Sequence, residues 1–307
     1  MDAPILRTLL LAVPLVLAAG ALRPRPEAEV VHGGVHPKRF WAEKARIRGS
    51  VHVALVGDSR VYHGLAPSEM GAVLREAGWG DPSIVNLGFS GVCLCGPYLP
   101  YVDRALDPRA ERRVVVLGIT PHALTPHAQK DNGYLAEARR TASEVLERIV
   151  LAPALDYLEP IRLEAFLGDG RRARPADSHY RETFFADGWV GATLTPAQPE
   201  FALTEYRTVF ASTKVDPSLV DELVERVARW TRSGVRVVAF RPPVAPELLE
   251  LEDRMSGFDE AALRARLIAT GARMPPVEGS YATYDGSHLD EASARALSRH
   301  IAARITR

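Results

Sequence analysis

A serine near the start of the 307-residue chain and a histidine near its end have the surroundings that nucleophilic catalysis requires. Ser59 ends a Gly-Asp-Ser triplet, and His288 follows Asp285 by three positions, with Gly286 between them. A serine hydroxyl becomes a nucleophile when an imidazole takes its proton and a carboxylate orients that imidazole. An aspartate at this spacing can reach the ring Nδ1, because a glycine permits the tight turn. These residues predict a Ser59–His288–Asp285 triad that cleaves or transfers an ester-linked acyl group.

Short β-branched runs alternate with amphipathic segments and must position these side chains. Strands are predicted at residues 51–56, 83–87, 113–117 and 235–240, and helices at 67–76, 216–232, 258–270 and 291–305. This alternation predicts the α/β class, as a three-layer α/β/α sandwich whose central parallel sheet is covered on both faces. Ligands of such sheets bind beyond the carboxyl ends of the strands, where Ser59, Gly91 and Thr120 are expected to lie.

The remaining parts of the chain have different patterns. Residues 1–22 combine Arg7, an apolar run and small residues at 19–21, which is typical of a signal peptide that is either removed or retained as an anchor. This pattern predicts an exported protein, periplasmic or extracytoplasmic. Residues 23–50 are predicted to form a linker and surface segment before the main domain, 51–307. Residues 121–215 break the strand–helix rhythm and are predicted to form an insertion over the strand ends, with helices at 134–150 and 154–166.

Three segments together resemble the sequence blocks of the SGNH/GDSL hydrolase superfamily. They are Gly-Asp-Ser at 57–59, Asn-Leu-Gly-Phe-Ser-Gly at 86–91 and Asp-Gly-Ser-His-Leu at 285–289, and they match the first, second and last blocks in order. The resemblance covers residues 51–120 and 235–305. It implies a flavodoxin-like SGNH sandwich with Ser59 as nucleophile, His288 as general base and Asp285 as its orienting carboxylate.

The resemblance also implies an oxyanion hole, with the backbone amides of Ser59 and Gly91 as two of its arms. The family's third arm is the asparagine of a Gly-x-Asn-Asp block, and this chain has Gly-Ile-Thr-Pro at 118–121 instead. The hydroxyl of Thr120 is the donor expected in place of that asparagine, with a shorter reach.

The departures from the family pattern are similar to one branch of it. Gly-Asp-Ser-Arg at 57–60, the missing asparagine, the apolar amino terminus and Asp-Gly-Trp at 187–189 are similar to membrane-associated relatives that acylate cell-surface polymers. Examples are the alginate O-acetylation proteins and the D-alanylation protein of teichoic acids. This similarity implies an acylated carbohydrate or cell-envelope polymer as partner. It also implies a membrane tether or a membrane-bound acyl-transfer partner.

The predicted function is therefore that of a serine esterase or O-acyltransferase, with acetyl as the acyl group and an acyl-enzyme as intermediate. A non-catalytic binding or assembly factor is the alternative, because Thr120 and Pro121 depart from the family pattern. A lipid acylhydrolase is a third interpretation. In a purely structural interpretation of the motifs, Asp58 and Ser59 only cap a helix, and Asp285 and His288 form a solvated turn and a cap.

Four further side chains are candidates for contact with substrate. Arg60 is expected either to bind an acidic substrate group or to pair with a carboxylate on the surface. His122 is a candidate because it directly follows the Gly-Ile-Thr-Pro segment at 118–121. Trp189 would either stack on a sugar ring or pack where the insertion meets the core. Arg241 follows the fourth predicted strand and would either form a pocket wall or stabilise a turn.

The composition excludes other classes of function. The chain has 38 basic and 38 acidic side chains, so no excess of positive charge is present to bind nucleic acid.

No metal or other cofactor is predicted, because the two cysteines are too few for a zinc site. A disulfide between Cys93 and Cys95 would span one residue and is expected to be strained. Both are therefore predicted to be packing residues near a loop.

Overall fold

The computed structural model describes residues 34–130, 132–158 and 179–306. The predicted signal segment at 1–22, and residues 159–166 of the helix predicted at 154–166, lie outside these ranges. None of the helices in the described ranges is both long enough and apolar enough to cross a bilayer.

The strands in the described residues are β1 Val53–Val56, β2 Ile84–Asn86, β3 Arg113–Gly118, β4 His179–Phe184, β5 Val190–Thr195 and β6 Val235–Phe240. The α-helices are α1 Pro37–Lys44, α2 Ser59–Gly64, α3 Pro67–Glu76, α4 Tyr98–Ala105, α5 Pro126–Lys130, α6 Gly133–Ala138, α7 Ala142–Leu146, α8 Ala152–Leu158, α9 Glu200–Ser212, α10 Pro217–Arg232, α11 Pro246–Met255, α12 Glu260–Ala269 and α13 Glu291–Ile305. A 3₁₀ turn covers His122–Leu124, and a π turn covers Glu147–Leu151.

The central sheet is parallel, with strand order β2-β1-β3-β6. The predicted α/β class and its parallel sheet are confirmed. Because all four strands run in the same direction, the loops that follow β1, β2 and β3 meet at one edge of the sheet. Gly91 and Thr120 lie on the second and third of these loops, and Ser59 lies at the end of the first, where it begins α2.

Alternate residues of each strand enter two different cores, which is why all four residues of β1 are buried. Val53 and Leu55 belong to the core covered by α2, α3 and α13. Ala54 and Val56 belong to the core covered by α4, α10 and α12. The sheet is thus the middle layer of an α/β/α sandwich, as predicted.

Two segments differ from the expected secondary structure. Within the predicted linker at 23–50, residues 37–44 form helix α1, with Phe40 and Lys44 buried. The single helix predicted at 134–150 is divided into α6, α7 and the π turn. Residues 121–215, the segment predicted to form an insertion, also contain an antiparallel hairpin of β4 and β5, whose pairing was not predicted.

The prediction that Cys93 and Cys95 do not form a disulfide was wrong. Cys93 and Cys95 form a disulfide, and their Cα atoms are 5.2 Å apart, inside the ordinary range for a bridged pair. The prediction assumed an extended tripeptide, whereas the chain bends at Leu94, whose amide donates to the carbonyl of Ala123 at 2.9 Å. Both cysteines are buried, as expected of packing residues.

Candidate active site

Ser59, His288 and Asp285 form a continuous hydrogen-bonded series at the carboxyl edge of the sheet. The Oγ of Ser59 lies 2.8 Å from Nε2 of His288, and Nδ1 of His288 lies 2.7 Å from Oδ2 of Asp285. An Nδ1–H that donates to the carboxylate leaves Nε2 unprotonated, so Nε2 can accept the serine proton. Ser59 and His288 are both partly exposed, which allows a substrate to reach them.

The carboxylate of Asp285 is held by its own loop as well as by the imidazole. Its Oδ1 accepts hydrogen bonds from the amides of Ser287 at 2.9 Å and His288 at 2.8 Å. Burial alone would raise the pKa of Asp285, but the hydrogen bond and charge of His288 and the two amides lower it below its usual value. Asp285 is therefore ionised at neutral pH and can stabilise an imidazolium.

Ser59 is the first residue of α2, directly after β1 and its loop. Asp58 caps this helix, because its Oδ1 accepts from the amide of Arg60 at 3.1 Å. The capping interpretation is therefore correct for Asp58, while the hydroxyl of Ser59 is directed to His288. An amide at the first position of a helix has no acceptor within that helix, so the Ser59 amide is suited to bind an oxyanion.

The loop after β2 is tied to α2 by the side chain of Asn86. Its Nδ2 donates to the carbonyls of Val61 and Leu65, both at 2.8 Å, and its Oδ1 accepts from the amide of Gly88 at 3.0 Å. Gly91 lies further along this loop in a turn with φ of +57°. Asn86 thus fixes the base of the Gly91 loop against the helix that carries Ser59.

The structure places Thr120 differently from the expected third oxyanion donor. Its side chain is fully buried, and its hydroxyl donates to Oδ2 of Asp58 at 2.5 Å. The same oxygen accepts from the amide of Ala123 at 3.2 Å. Because a threonine hydroxyl has one proton, in this arrangement Thr120 cannot also donate it to a substrate oxygen.

Arg60 and Arg241 share one buried carboxylate. Nη2 of Arg60 lies 2.5 Å from Oε1 of Glu252, and Nη2 of Arg241 lies 3.0 Å from Oε2. Burial by itself would lower the pKa of Arg60, but the charge of Glu252 raises it above the usual value, so the guanidinium stays charged. Of the two expectations for Arg60, the structure favours pairing with a carboxylate, in the interior rather than on the surface.

Arg241 also contacts two carboxylates on neighbouring helices. Its Nη1 lies 2.7 Å from Oδ1 of Asp253 on α11 and 3.1 Å from Oε2 of Glu260 on α12. These contacts join the loop after β6 to both helices. The structure therefore favours a structural role for Arg241 over contact with substrate.

Trp189 is buried, with 1% of its surface exposed. Its Nε1 donates to the carbonyl of His63 at 2.9 Å, and its ring stacks on Phe185 with centroids 4.7 Å apart. A ring in this position cannot stack on a sugar without local unfolding. Trp189 therefore packs where the insertion meets the core, which was the second of the two expectations.

His122 borders the site on the side of Arg60. Its ring is 5.9 Å from that of Tyr206 and 5.7 Å from that of His127. Burial lowers the pKa of His122, so its ring is neutral at neutral pH. Cζ of Arg60 lies 4.9 Å from the same Tyr206 ring, so His122 lies near the Ser59 turn, as expected for a residue that follows β3 closely.

Two residues beside the imidazole were not predicted from the sequence. The Tyr284 ring stacks against His288 with centroids 5.7 Å apart, and the His63 ring lies 5.1 Å from it. His63 donates from Nδ1 to the carbonyl of Val190 at 3.0 Å if that nitrogen carries the proton, and burial holds its pKa well below the usual value. The signals were local: His63 is one helical turn after Ser59, and Tyr284 directly precedes Asp285.

The insertion supports the loop that carries Asp285 and His288. The amide of Ala202, at the start of α9, donates to the carbonyl of Asp285 at 3.1 Å. Gly286 has φ of +90°, and a Cβ at this position would lie 2.1 Å from the carbonyl oxygen of Pro199. Only glycine fits this turn, since both the backbone conformation and the contact with α9 exclude a side chain.

Comparisons with known proteins found distant structural likenesses. No family model and no curated protein matches the chain. Among solved structures, a provisionally assigned arylesterase from Agrobacterium tumefaciens str. C58 is 15% identical, with 82% of this chain and 97% of that chain covered and a TM-score of 0.38. A provisionally named platelet activating factor from Streptococcus pneumonia is 13% identical, with 99% and 100% covered and a TM-score of 0.35. Likenesses this low carry no argument about activity.

Proposed function

We propose that the chain is a serine esterase or O-acyltransferase that uses Ser59, His288 and Asp285 on an acylated carbohydrate or cell-envelope polymer, with acetyl as the acyl group. The observation that carries this proposal is the 2.8 Å contact between Ser59 Oγ and His288 Nε2, with the Asp285 carboxylate 2.7 Å behind the ring. A structural cap would not require an imidazole on the serine hydroxyl.

In the first half of the reaction, Ser59 Oγ attacks the acyl carbonyl carbon while its proton moves to Nε2 of His288. The negative charge of the tetrahedral intermediate is stabilised by the amides of Ser59 and Gly91, each worth about 3 kcal/mol in the transition state. His288 then donates its proton to the departing alcohol oxygen, and the bond between that oxygen and the acyl carbon breaks. An acyl group remains on Ser59.

In the second half, His288 takes a proton from water or from a sugar hydroxyl, whose oxygen attacks the acyl-enzyme. Collapse of the new intermediate returns the proton to Ser59 and releases either the free acid or a new ester. Asp285 remains ionised throughout and stabilises the imidazolium formed in each half. Hydrolysis and transfer differ only in the acceptor, so the access of water decides between them.

The carbohydrate substrate and the cell-envelope location are supported by the resemblance of the sequence blocks to the polymer-acylating branch. The amino-terminal pattern at residues 1–22 supports export and a membrane tether. In this proposal, the tether holds the site near the membrane, where an acyl-transfer partner would supply the acyl group.

A non-catalytic binding factor is the second candidate, and the position of Thr120 favours it. Its hydroxyl is committed to Asp58, so the oxyanion hole would have two backbone donors and no third arm from this residue. The absence of a third donor would slow the reaction without preventing polymer binding. A lipid acylhydrolase is the third candidate.

A fluorophosphonate probe tests the proposal, because it reacts covalently only with an activated serine. The full-length protein should be labelled at Ser59, and Ser59→Ala should abolish labelling. Ser143→Ala, which changes an exposed serine on α7, should be labelled as the unchanged protein is. A folded protein that is not labelled would contradict catalysis and favour the binding factor.

The acyl group is tested with p-nitrophenyl esters of increasing chain length. Preference for acetate is the expected result. Preference for long chains would instead support the lipid acylhydrolase. Supplying a soluble oligosaccharide as acceptor then separates transfer, which yields an acylated sugar, from hydrolysis, which yields the free acid.

A further inference from the structure

The Ser59 turn and the Asp285–His288 loop are joined by a buried arginine that takes no part in the proposed chemistry. We propose that Arg60 is a positioning residue, whose guanidinium holds Ser287 and thereby the neighbouring His288 in register with Ser59; this inference rests on the proposed function. Reactive groups must be placed to within a fraction of an ångström. The two loops are far apart along the chain, because the Ser59 turn follows β1 and the Asp285–His288 loop lies between α12 and α13.

Besides the contact between Ser59 and His288, a directional hydrogen bond from Arg60 joins the two loops. Nε of Arg60 donates to Oγ of Ser287 at 3.0 Å, and Ser287 is 1% exposed. The amide of Ser287 in turn donates to Oδ1 of Asp285 at 2.9 Å. A shift of Ser287 would therefore move both the carboxylate and the adjacent imidazole relative to Ser59.

The guanidinium is itself held on two further sides. Its Nη2 pairs with Glu252 at 2.5 Å, and both side chains have 0% exposure. The ring of Tyr206 lies 4.9 Å from Cζ of Arg60. Glu252 lies on α11 and Tyr206 on α9, so the insertion and the sandwich hold the arginine together.

This arrangement requires the geometry of arginine. A guanidinium is planar and presents several N–H groups in fixed directions, so Arg60 can bind Glu252 and Ser287 at the same time. A lysine would keep the charge but has one nitrogen, which cannot reach both partners in this geometry. The complete burial of Arg60 also excludes it from binding an acidic substrate group, which was the other expectation from the sequence.

Two substitutions in the full-length protein test the inference. Ser287→Ala removes the hydroxyl that accepts from Nε of Arg60. Arg60→Lys keeps the positive charge that faces Glu252 but removes the planar guanidinium with its several N–H groups. Each should lower the rate of fluorophosphonate labelling at Ser59 by about 100-fold, the effect expected of a displacement near 1 Å. Each should also weaken the far-downfield proton NMR signal of the His288 Nδ1–H, which is assigned by its loss in His288→Gln.

Ser298→Ala is the matched control. Ser298 is also a fully buried serine, and its Oγ accepts from the amide of Ala66 at 2.7 Å and donates to the carbonyl of Ala294 at 2.6 Å, away from the triad. Urea unfolding of all three variants measures the loss of stability. Ser298→Ala should lose stability without changing the labelling rate or the downfield signal.

The inference is overturned if Ser287→Ala and Arg60→Lys lose stability as Ser298→Ala does and keep the wild-type labelling rate and NMR signal. If the unchanged protein is folded but not labelled, the proposed function fails, and the NMR signal alone decides whether Arg60 positions His288. A signal retained in both variants then overturns the positioning role, and a signal lost in both but kept in Ser298→Ala supports it.

Discussion

Replacing Asp285 by asparagine should leave the fold intact and inactivate Ser59. The asparagine Oδ1 can still accept from the amides of Ser287 and His288, which lie 2.9 and 2.8 Å from the present Oδ1. Its NH₂ group then occupies the position of Oδ2, 2.7 Å from Nδ1 of His288. Two donors cannot face each other, so Nδ1 becomes the acceptor and the ring proton moves to Nε2.

The expected magnitude follows from that change of tautomer. With a proton on Nε2, His288 cannot accept the proton of Ser59, and the hydroxyl loses its general base. A serine triad whose imidazole is held in the wrong tautomer loses about 10⁴ in rate. This factor corresponds to about 5 kcal/mol of transition-state stabilisation.

The assay is the rate of fluorophosphonate labelling of full-length Asp285→Asn at neutral pH, together with its urea-unfolding curve. Asp290→Asn is the control: Asp290 caps α13 by accepting from the amide of Ser293 at 2.7 Å, and asparagine caps equally well. It should label at the wild-type rate. A folded Asp285→Asn variant that labels nearly as fast as the wild type would refute the role assigned to the carboxylate.

Three further predictions concern buried groups around the site. Thr120→Val removes the hydroxyl that donates to the buried carboxylate of Asp58, and should destabilise the protein to urea by about 1–3 kcal/mol. Burial holds the pKa of Lys44 well below its usual value, so the protein takes up a proton when it unfolds. The free energy of unfolding should therefore rise as the pH increases toward the pKa of lysine in the unfolded chain. Lys44→Met should lose this rise and be more stable than the wild type near neutral pH. Gly286→Ala would place a Cβ 2.1 Å from the carbonyl oxygen of Pro199, and should lower the rate of Ser59 labelling by about 100-fold.

Each of these predictions has a matched control. Thr125 is also a buried threonine, but its hydroxyl donates to the neutral carbonyl of His122, so Thr125→Val should cost less than Thr120→Val. Lys38 is exposed, and Lys38→Met should leave the pH dependence of stability unchanged. Gly78 has φ of +77° with no atom within 4 Å of an added Cβ, so Gly78→Ala should cost stability without slowing labelling. Equal effects of a substitution and its control would contradict the corresponding prediction.

The chemistry-bearing residues could be placed from local patterns because a parallel sheet brings its strand ends to one edge. Ser59 lies three residues after the end of a β-branched run, and His288 lies just before an amphipathic helix at the end of the domain. Both positions follow from hydrophobic periodicity and from the direction of the strands. The same periodicity located α3, α10 and α13 within one or two residues.

Contacts between distant parts of the chain could not be predicted in this way. The charge of Arg60 is evident in the sequence, but its partner Glu252 lies 192 positions away on a helix that was not predicted. The proton of Thr120 is committed to Asp58, which is 62 positions away. Local patterns contain no information about such pairs, because they arise only when strands, helices and insertion pack together.

The sequence by itself determined the α/β class, the positions of the four sandwich strands along the chain and which loops carry the serine, the imidazole and the carboxylate, because these depend on periodicity and spacing along the chain. Only the tertiary structure decided that Trp189 is buried, that the 37–44 segment is a packed helix and that Cys93 and Cys95 are bridged. The physical reason is that burial and pairing depend on what lies opposite a residue in space.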